Sequence, residues 1–241
     1  MYDIKINSFS FSSYKNIVIN SIEGFSPPSA TISRKKQGKD GTSFTGSTRD
    51  ERNIVINFSI LNNVKETRGI LYDNIRTGEE VTVIVDNSKK ITGYIETFEL
   101  NNFQQITTGQ ISIICPDPYF YSVNPKREYF YGSKTITLNA PTDNCDYVIN
   151  VLFDGNCSDF QFYYYKNLSQ IIHKINCEFK YNDNLIIDYE NRKISINGVN
   201  KYSSKSWTDW PYLKKGSNSW TIIASNVYEG YIEIKEKFLA I

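Results

Sequence analysis

The stretch Ile111-Ser112-Ile113-Ile114-Cys115-Pro116-Asp117-Pro118-Tyr119-Phe120-Tyr121 decides how the chain is divided. Its first five residues read as a β-strand, rich in β-branched side chains that suit a pleated surface. The two prolines end it, because neither can donate a backbone N–H to a ladder. Each also biases the residue before it toward an extended conformation. The sequence therefore predicts a stiff, extended exit from one β-rich body, residues 1–122, into a second, residues 123–241. A chain of 241 residues suits two domains of ordinary size.

Working back from this stretch, short strands are expected at Ile4–Ile6, Phe9–Phe11 and Ile17–Ile19. The diproline Pro27-Pro28 interrupts them and belongs at a sheet edge or outside it. Residues 33–48 are polar, punctuated by glycine and basic at their start. They read as a long loop or a projecting hairpin with Asp40-Gly41 as its tight turn. Ile54, Ile56, Phe58 and Ile60 share one strand face. One helix follows, with Asn63 as cap, Glu66 in capping-box position and Gly78 as stop. Its apolar stripe is Val64, Ile70, Leu71, Asn74 and Ile75. Strands resume at Val81–Val85, Ile91–Leu100 and Thr108–Cys115. The first body is expected to be an antiparallel sheet or sandwich with one packed helix.

Forward of the prolines the chain is almost wholly β. Strands are expected at Tyr147–Phe153 and Phe160–Tyr165, then along Ile171, His173, Ile175, Cys177 and Phe179, which alternate on one face. A meander runs from Leu185 to Tyr202, with Asn197-Gly198 as a type I′ turn. Trp220–Ile223 and Tyr228–Lys235 complete a sandwich. The overall class is mainly β.

Composition narrows the functions. Tyrosine (18) and phenylalanine (14) are abundant, which favours strands, and the net charge of +1 provides no general pull toward nucleic acid or anionic lipid. No apolar run approaches the ~20 residues needed to span a bilayer, so no membrane partner is expected. Met1 leads directly into strand-like sequence with no secretory pattern. Cys115, Cys145, Cys157 and Cys177 lack metal-ligand spacing and are expected as free thiols of a reducing cytosol, with a disulfide in the second half as the alternative. No P-loop, dinucleotide fingerprint or zinc-protease motif is present. No catalytic residue, metal or cofactor is expected. His173, the single histidine, lies on an apolar strand face and reads as structural rather than as a general base, since no nucleophile is marked beside it. Trp207, Trp210 and Trp220, with the aromatic run Phe162-Tyr163-Tyr164-Tyr165, either line a saccharide-binding face or serve packing and partner contact.

Several blocks resemble the siphophage distal tail protein (Dit) family. They are Phe9-Ser10-Phe11-Ser12-Ser13-Tyr14, Phe25-Ser26-Pro27-Pro28, Asp40-Gly41-Thr42-Ser43-Phe44, Arg52-Asn53-Ile54-Val55-Ile56 and the junction Cys115-Pro116-Asp117-Pro118-Tyr119-Phe120. More loosely, the second half is similar to that family's galectin-like sandwich. The resemblance implies a non-enzymatic structural part: a homohexameric ring at the tip of a phage tail or tail-like particle. Such a ring meets the tail tube protein on one face and the tail-tip hub on the other. DNA passes through its channel without specific binding. The location implied is the virion tail, assembled in the bacterial host cytoplasm. Arg34, Lys35, Lys36, Lys39, Asp40, Gly41 and Phe44 are then candidates for the contact between subunits, against the alternative of a solvated surface loop. The alternative function is a carbohydrate-binding β-sandwich that recognises bacterial surface glycans. True galectins combine a stacking tryptophan with a His-Asn-Arg set that this chain does not display.

Overall fold

The computed structural model describes residues 2–36, 42–103, 106–142, 145–158, 160–166 and 169–241. The chain divides into two compact units, Met1–Val123 with Phe238–Ile241, and Asn124–Lys237. It thus leaves the first unit at Val123 and returns to it for its last four residues.

The first unit contains β1 (Ile4–Ile6), β2 (Phe9–Ser10), β3 (Ile17–Glu23), β4 (Ala30–Lys36), β5 (Thr42–Arg49), β6 (Arg52–Ile60), α1 (Val64–Asn74), β7 (Glu80–Val85), β8 (Lys89–Phe103), β9 (Ile106–Cys115) and β10 (Phe120–Ser122). The pairing order is β2-β1-β7-β8-β9-β6-β3, within a sheet of nine strands that also takes in β10. The pairs described in it are all antiparallel. In β6 the alternate residues Ile54, Ile56, Phe58 and Ile60 are fully buried, as the period-2 pattern predicts. They join Ile4, Ile6, Val83, Val85, Ile111, Ile113 and the helix residue Leu71 in one core. Of the expected sheet or sandwich, the first unit realises the sheet, with a helix packed on it.

The helix lies where the sequence places it, but its ends differ. Asn63 sits in the left-handed region (φ 49°, ψ 39°) and makes no side-chain cap. An N-cap needs an extended backbone to aim its side chain at the first-turn N–H groups, so the capping box does not form. Asn16 braces this end without capping it: its amide donates to the Asn62 carbonyl (3.1 Å) and to the Thr67 hydroxyl, and so satisfies no first-turn N–H. The helix stops at Ile75, which turns extended, and not at Gly78. Gly78 instead donates its N–H to the Ile95 carbonyl (2.7 Å) just ahead of β7.

The second unit contains β11 (Lys126–Phe130), β12 (Lys134–Ala140), β13 (Asp146–Phe153), β14 (Phe160–Lys166), β15 (Ser169–Ile175), β16 (Asn184–Asp188), β17 (Lys193–Ile196), β18 (Val199–Asn200), β19 (Gly216–Ile223) and β20 (Val227–Lys235); β21 (Lys237–Phe238) follows and pairs with β10. One sheet runs β11-β20-β13-β16-β17-β18, the other β12-β19-β14-β15. Their inner faces share a single core, so the unit is a β-sandwich. Asn197 and Gly198 both take positive φ (51° and 79°), which forms the expected hairpin turn. β13 and β14 belong to different sheets, so the Asp154-Gly155-Asn156 stretch opens a crossover between layers. All four cysteines are free thiols. No helix among the described residues is long and apolar enough to cross a membrane.

The proline stretch behaves differently from its sequence expectation. It is not an exit. After Pro118 the chain folds back, and Tyr121 and Ser122 pair with Lys90 and Lys89 of β8. The cause is Arg52, the first residue of β6, whose side chain is buried (2 % exposed). Its Nε donates to the Pro118 carbonyl (2.8 Å) and its Nη2 to the Leu239 carbonyl (2.7 Å). Its Nη1 donates to the carbonyls of Ser26 (2.8 Å) and Gly24. The guanidinium also lies 4.7 Å from the centre of the Phe120 ring. Asp117 tightens the turn by accepting from the Tyr119 N–H (3.1 Å) and the Tyr121 hydroxyl (2.6 Å).

Replacing Arg52 removes the donor shared by the carbonyls of Gly24, Ser26, Pro118 and Leu239. Arg52→Met is expected to destabilise the first unit by about 1.5–3 kcal/mol, the range for lost hydrogen bonds to a charged group. All three tryptophans lie in the second unit. Urea unfolding followed by tryptophan fluorescence should therefore stay near wild type while hydrogen exchange in β6 and β9 rises; equal loss in both signals would refute the assignment.

Each unit also seats a phenylalanine on a glycine of the neighbouring strand. Phe58 is paired with Gly109, and Phe130 with Gly230. A Cβ at either glycine would lie 2.2 Å from the ring. Gly109→Ala and Gly230→Ala are each expected to cost about 1–3 kcal/mol by overpacking. Gly69→Ala, in the open helix interior with nothing within 4 Å, should stabilise by about 0.5–1 kcal/mol. Thermal melts of the three variants check the ordering.

Candidate functional site

Two features stand out from the folded bodies, an arm on the first unit and an aromatic cleft on the second. The arm is β4 and β5, which pair with each other from Ala30↔Arg49 to Lys36↔Thr42 and with no other strand in the described residues. A bulge falls between Ser33 and Arg34. The arm is longer than the sequence reading of residues 33–48, because it begins at Ala30. Ala30, Thr31, Ile32, Ser33, Arg34 and Lys35 are all exposed, and so are Thr48 and Arg49. Ile32 is 52 % exposed. A two-stranded hairpin without a buried face is marginal in water. Of the sequence candidates, Arg34 and Lys35 thus lie on the arm with exposed side chains. Lys36 and Phe44 lie on its paired backbone, their side chains outside the described residues. Lys39, Asp40 and Gly41, with the expected tight turn, lie outside the described residues altogether.

The arm has a fixed base. Gly24 and Ser26 precede it in the chain, and Arg52 follows it by three residues. The Arg52 guanidinium holds the carbonyls of both, so the two ends of the arm are clamped by one cation. Asp50 adds a backbone bond to Ser29 (3.1 Å). The junction residues Cys115, Pro116, Asp117, Pro118, Tyr119 and Phe120 support the same clamp from behind. Cys115 is directly opposite Arg52 in the β6–β9 register. Burial pushes its thiol up to about 12, with the Arg52 charge opposing, so it stays protonated and inert. Burial draws the guanidinium down from its ordinary value, yet an arginine remains charged.

In the second unit the three tryptophans play three roles. Trp207 is buried and stacks on His173 (centroids 4.6 Å, planes 8° apart). Trp220 is buried beneath Tyr164 at 4.5 Å. Trp210 is half-buried and packs on Trp207 (5.7 Å) and edge-on to Tyr189 (5.0 Å). Trp210 and Trp220 line a cleft of about 650 Å³; Trp207 does not. The sequence grouped the three by type and had no signal to separate them. Of the aromatic run, Tyr164 and Tyr165 also line the cleft; Tyr212 and Asp209 line it too, and no sequence pattern points to them.

His173 is fully buried and its Nδ1 is 2.6 Å from the Tyr189 hydroxyl. Burial, reinforced by the nearby Lys205 charge, lowers its pKa from 6.5 to about 4. Its ring contacts are aromatic, so it is neutral packing material at physiological pH. Among the described residues no group of three or more His, Cys, Asp or Glu is placed to hold a metal ion.

Residues 141–238 match the family model described as the siphovirus-type tail component, C-terminal domain. Comparison with curated proteins gives no match. Among solved structures, the chain is similar to the phage SPP1 Dit (gp 19.1) protein, described as a paradigm of the hub adsorption apparatus in phages infecting Gram-positive hosts. The TM-score is 0.75 at 14 % identity, over 99 % of each chain. It is also similar to a chain of the phage P2 baseplate in its activated conformation with Ca, at TM-score 0.61 and 7 % identity over the full length of both. The family model assigns residues 141–238 to the siphovirus-type tail component domain. The whole chain shares the fold of the SPP1 Dit protein.

A buried neutral histidine leaves a pH signature. Between pH 6.5 and about 4 the unfolded chain binds a proton that the folded chain refuses, so stability falls as the pH drops through that window. The full loss is about 3 kcal/mol at 1.36 kcal/mol per unit. His173→Phe should remove this share of the pH dependence while costing a constant amount for the lost Tyr189 bond. Urea midpoints from tryptophan fluorescence at pH 7 and pH 4.5 test it, and an unchanged slope in the variant would contradict it.

Proposed function

We propose that this chain is a structural, non-enzymatic subunit of a phage tail tip or baseplate. Copies associate side by side into a closed ring, six by resemblance to the family, that joins the tail tube to the distal hub. DNA passes through the opening. The observation that carries the reading is the arm. It is a clamped hairpin, its described side chains exposed, on a chain with the Dit fold. Such an element gains stability when a neighbouring subunit covers it, and a head-to-tail contact repeated at a fixed rotation closes a ring.

The arm's basic residues fit this role better than a grip on DNA. Neutralising phosphates gives salt-dependent adhesion, which retards a strand in transit. The net charge of +1 adds no field to favour it. The first unit, which carries the arm, then forms the annulus. The galectin-like description of the second unit is likewise an inference from resemblance, supported by its two-sheet sandwich.

Light scattering after size exclusion at about 100 µM chain should give a closed oligomer, because assembly needs concentrations well above each contact's Kd. Deleting residues 34–47 should yield a folded monomer with unchanged tryptophan fluorescence. Rings that persist after the deletion would remove the arm from the closure contact. A wild-type protein that stays monomeric would overturn the ring itself.

A further inference from the structure

The aromatic cleft of the second unit has a construction that packing alone does not require. β14 and β19 are neighbours, yet their pairing covers only Gln161↔Ile223, Phe162↔Ile222 and Tyr163↔Thr221. Past that point the cleft opens between Tyr164 and Tyr165 on one strand and Ser217–Trp220 on the other. A third wall comes from the connection between the 3-10 turn Tyr202–Ser204 and β19, which carries Asp209, Trp210, Pro211 and Tyr212. Connections of this length without regular structure are commonly functional or disordered. This one is pinned. Trp207 is stacked on His173 in the core, and Leu213 exchanges backbone bonds with Cys145 (2.8 and 3.2 Å). Asn218 holds the turn after it, donating to the carbonyls of Lys214 (2.8 Å) and Gly216 (3.0 Å) and accepting from the Lys214 N–H (3.1 Å).

The geometry points to a binding site in this cleft for a pyranose ring of a neutral glycan. A pyranose has an apolar C–H face and a polar rim, and the cleft offers both counterparts. Tyr165 is 67 % exposed and Tyr212 54 %, and Trp210 stands partly exposed between them and the core. Aromatic faces supply the large, rigid, amphipathic contact area that recognition surfaces favour. Asp209 is exposed and has no hydrogen-bond or ion-pair partner among the described residues, so its two oxygens are available to a pair of hydroxyls. Burial, with the Asp209 charge adding to it, raises the Tyr164 hydroxyl above its ordinary pKa, so it stays a donor. Asp209 stands among Lys214 and Lys215, so the lining carries both signs of charge and no block of one sign to select a polyanion. Pro211 has no N–H for a ladder, which disfavours an added peptide strand. The volume falls within the ~300–1,000 Å³ of small-molecule sites. The stack of His173, Trp207 and Tyr189 behind Trp210 fixes the wall before a ligand arrives, which lowers the cost of binding.

The site is independent of ring closure, so the 34–47 deletion should retain it. The test is titration of the full chain with neutral tetrasaccharides (the β-1,4-linked N-acetylglucosamine tetramer, cellotetraose and maltotetraose) and, separately, with a proline-rich decapeptide. Trp210 fluorescence and amide chemical shifts are followed. At least one tetrasaccharide is expected to saturate with a Kd of about 0.1–1 mM and to shift resonances of Tyr164, Trp210 and Tyr212. Tyr212→Ala should weaken it about tenfold and Asp209→Asn about two- to fivefold, with unchanged urea midpoints because both residues are exposed. The proposal is overturned by no saturable response to any tetrasaccharide up to about 10 mM, by affinity that Tyr212→Ala leaves intact, or by binding of the decapeptide alone.

Discussion

One buried cation organises the first unit. Arg52 takes the carbonyls of Gly24, Ser26, Pro118 and Leu239, from three segments far apart in sequence. A guanidinium suits this because its donors fan out in one plane and it stays charged when desolvated. Removing a charge from water is costly, and carbonyl dipoles alone offset that cost only when several converge. The convergence therefore fixes where each segment must lie. It explains why a chain stretch written with two prolines turns back into the sheet. It also explains why the last residues, after a whole second unit, end up on the first. Lys89 reinforces them, reaching the Ala240 carbonyl (3.2 Å) and lying 4.6 Å from the Phe238 ring centre.

The second unit depends on aromatic packing instead of a charge. Phe162, His173, Tyr189, Trp207 and Trp220 interlock at centroid distances of 4.6–6.3 Å. Histidine contributes as a flat ring whose charging is suppressed, with one nitrogen tied to Tyr189. Such a core is rigid at neutral pH, and its rigidity extends to the surface through Trp210. A surface ring whose orientation is set from beneath presents a defined face, whereas one held only by its own loop would sample several.

Periodicity made much of this legible. Strict alternation over Ile54–Ile60 and the Asn197-Gly198 turn specify strand, face and register locally. β11 and β12 went unassigned, although Lys134–Ala140 alternates in the same way. β11 is charged at Lys126, Arg127 and Glu128 and pairs on only one side, so its sequence resembles a turn more than a core strand. The helix starts after Asn63 as expected, but no local pattern records its brace, Asn16, which lies 46 residues from the carbonyl it binds. The clamp was invisible for the same reason. An isolated Arg52 at a strand start reads as a solvated charge, and only tertiary structure brings its carbonyls together. The cleft arises where two strands separate, a property of the sheet that no local pattern records.

The arm connects these constraints to function. Its exposed face leaves the hairpin with little internal stabilisation, and its ends are nonetheless fixed by the buried Arg52 guanidinium. A loose tether would let a projecting hairpin sweep a cone, and a neighbouring subunit would have to bear the entropy of restraining it. With Gly24 and Ser26 held on Arg52, the direction of departure is set before any contact forms. In the ring proposed above, the rotation between neighbours is then determined inside each chain, by the geometry around a guanidinium. A ring built in this way closes at one subunit number because the angle is part of the fold, and the contact surface only has to recognise it.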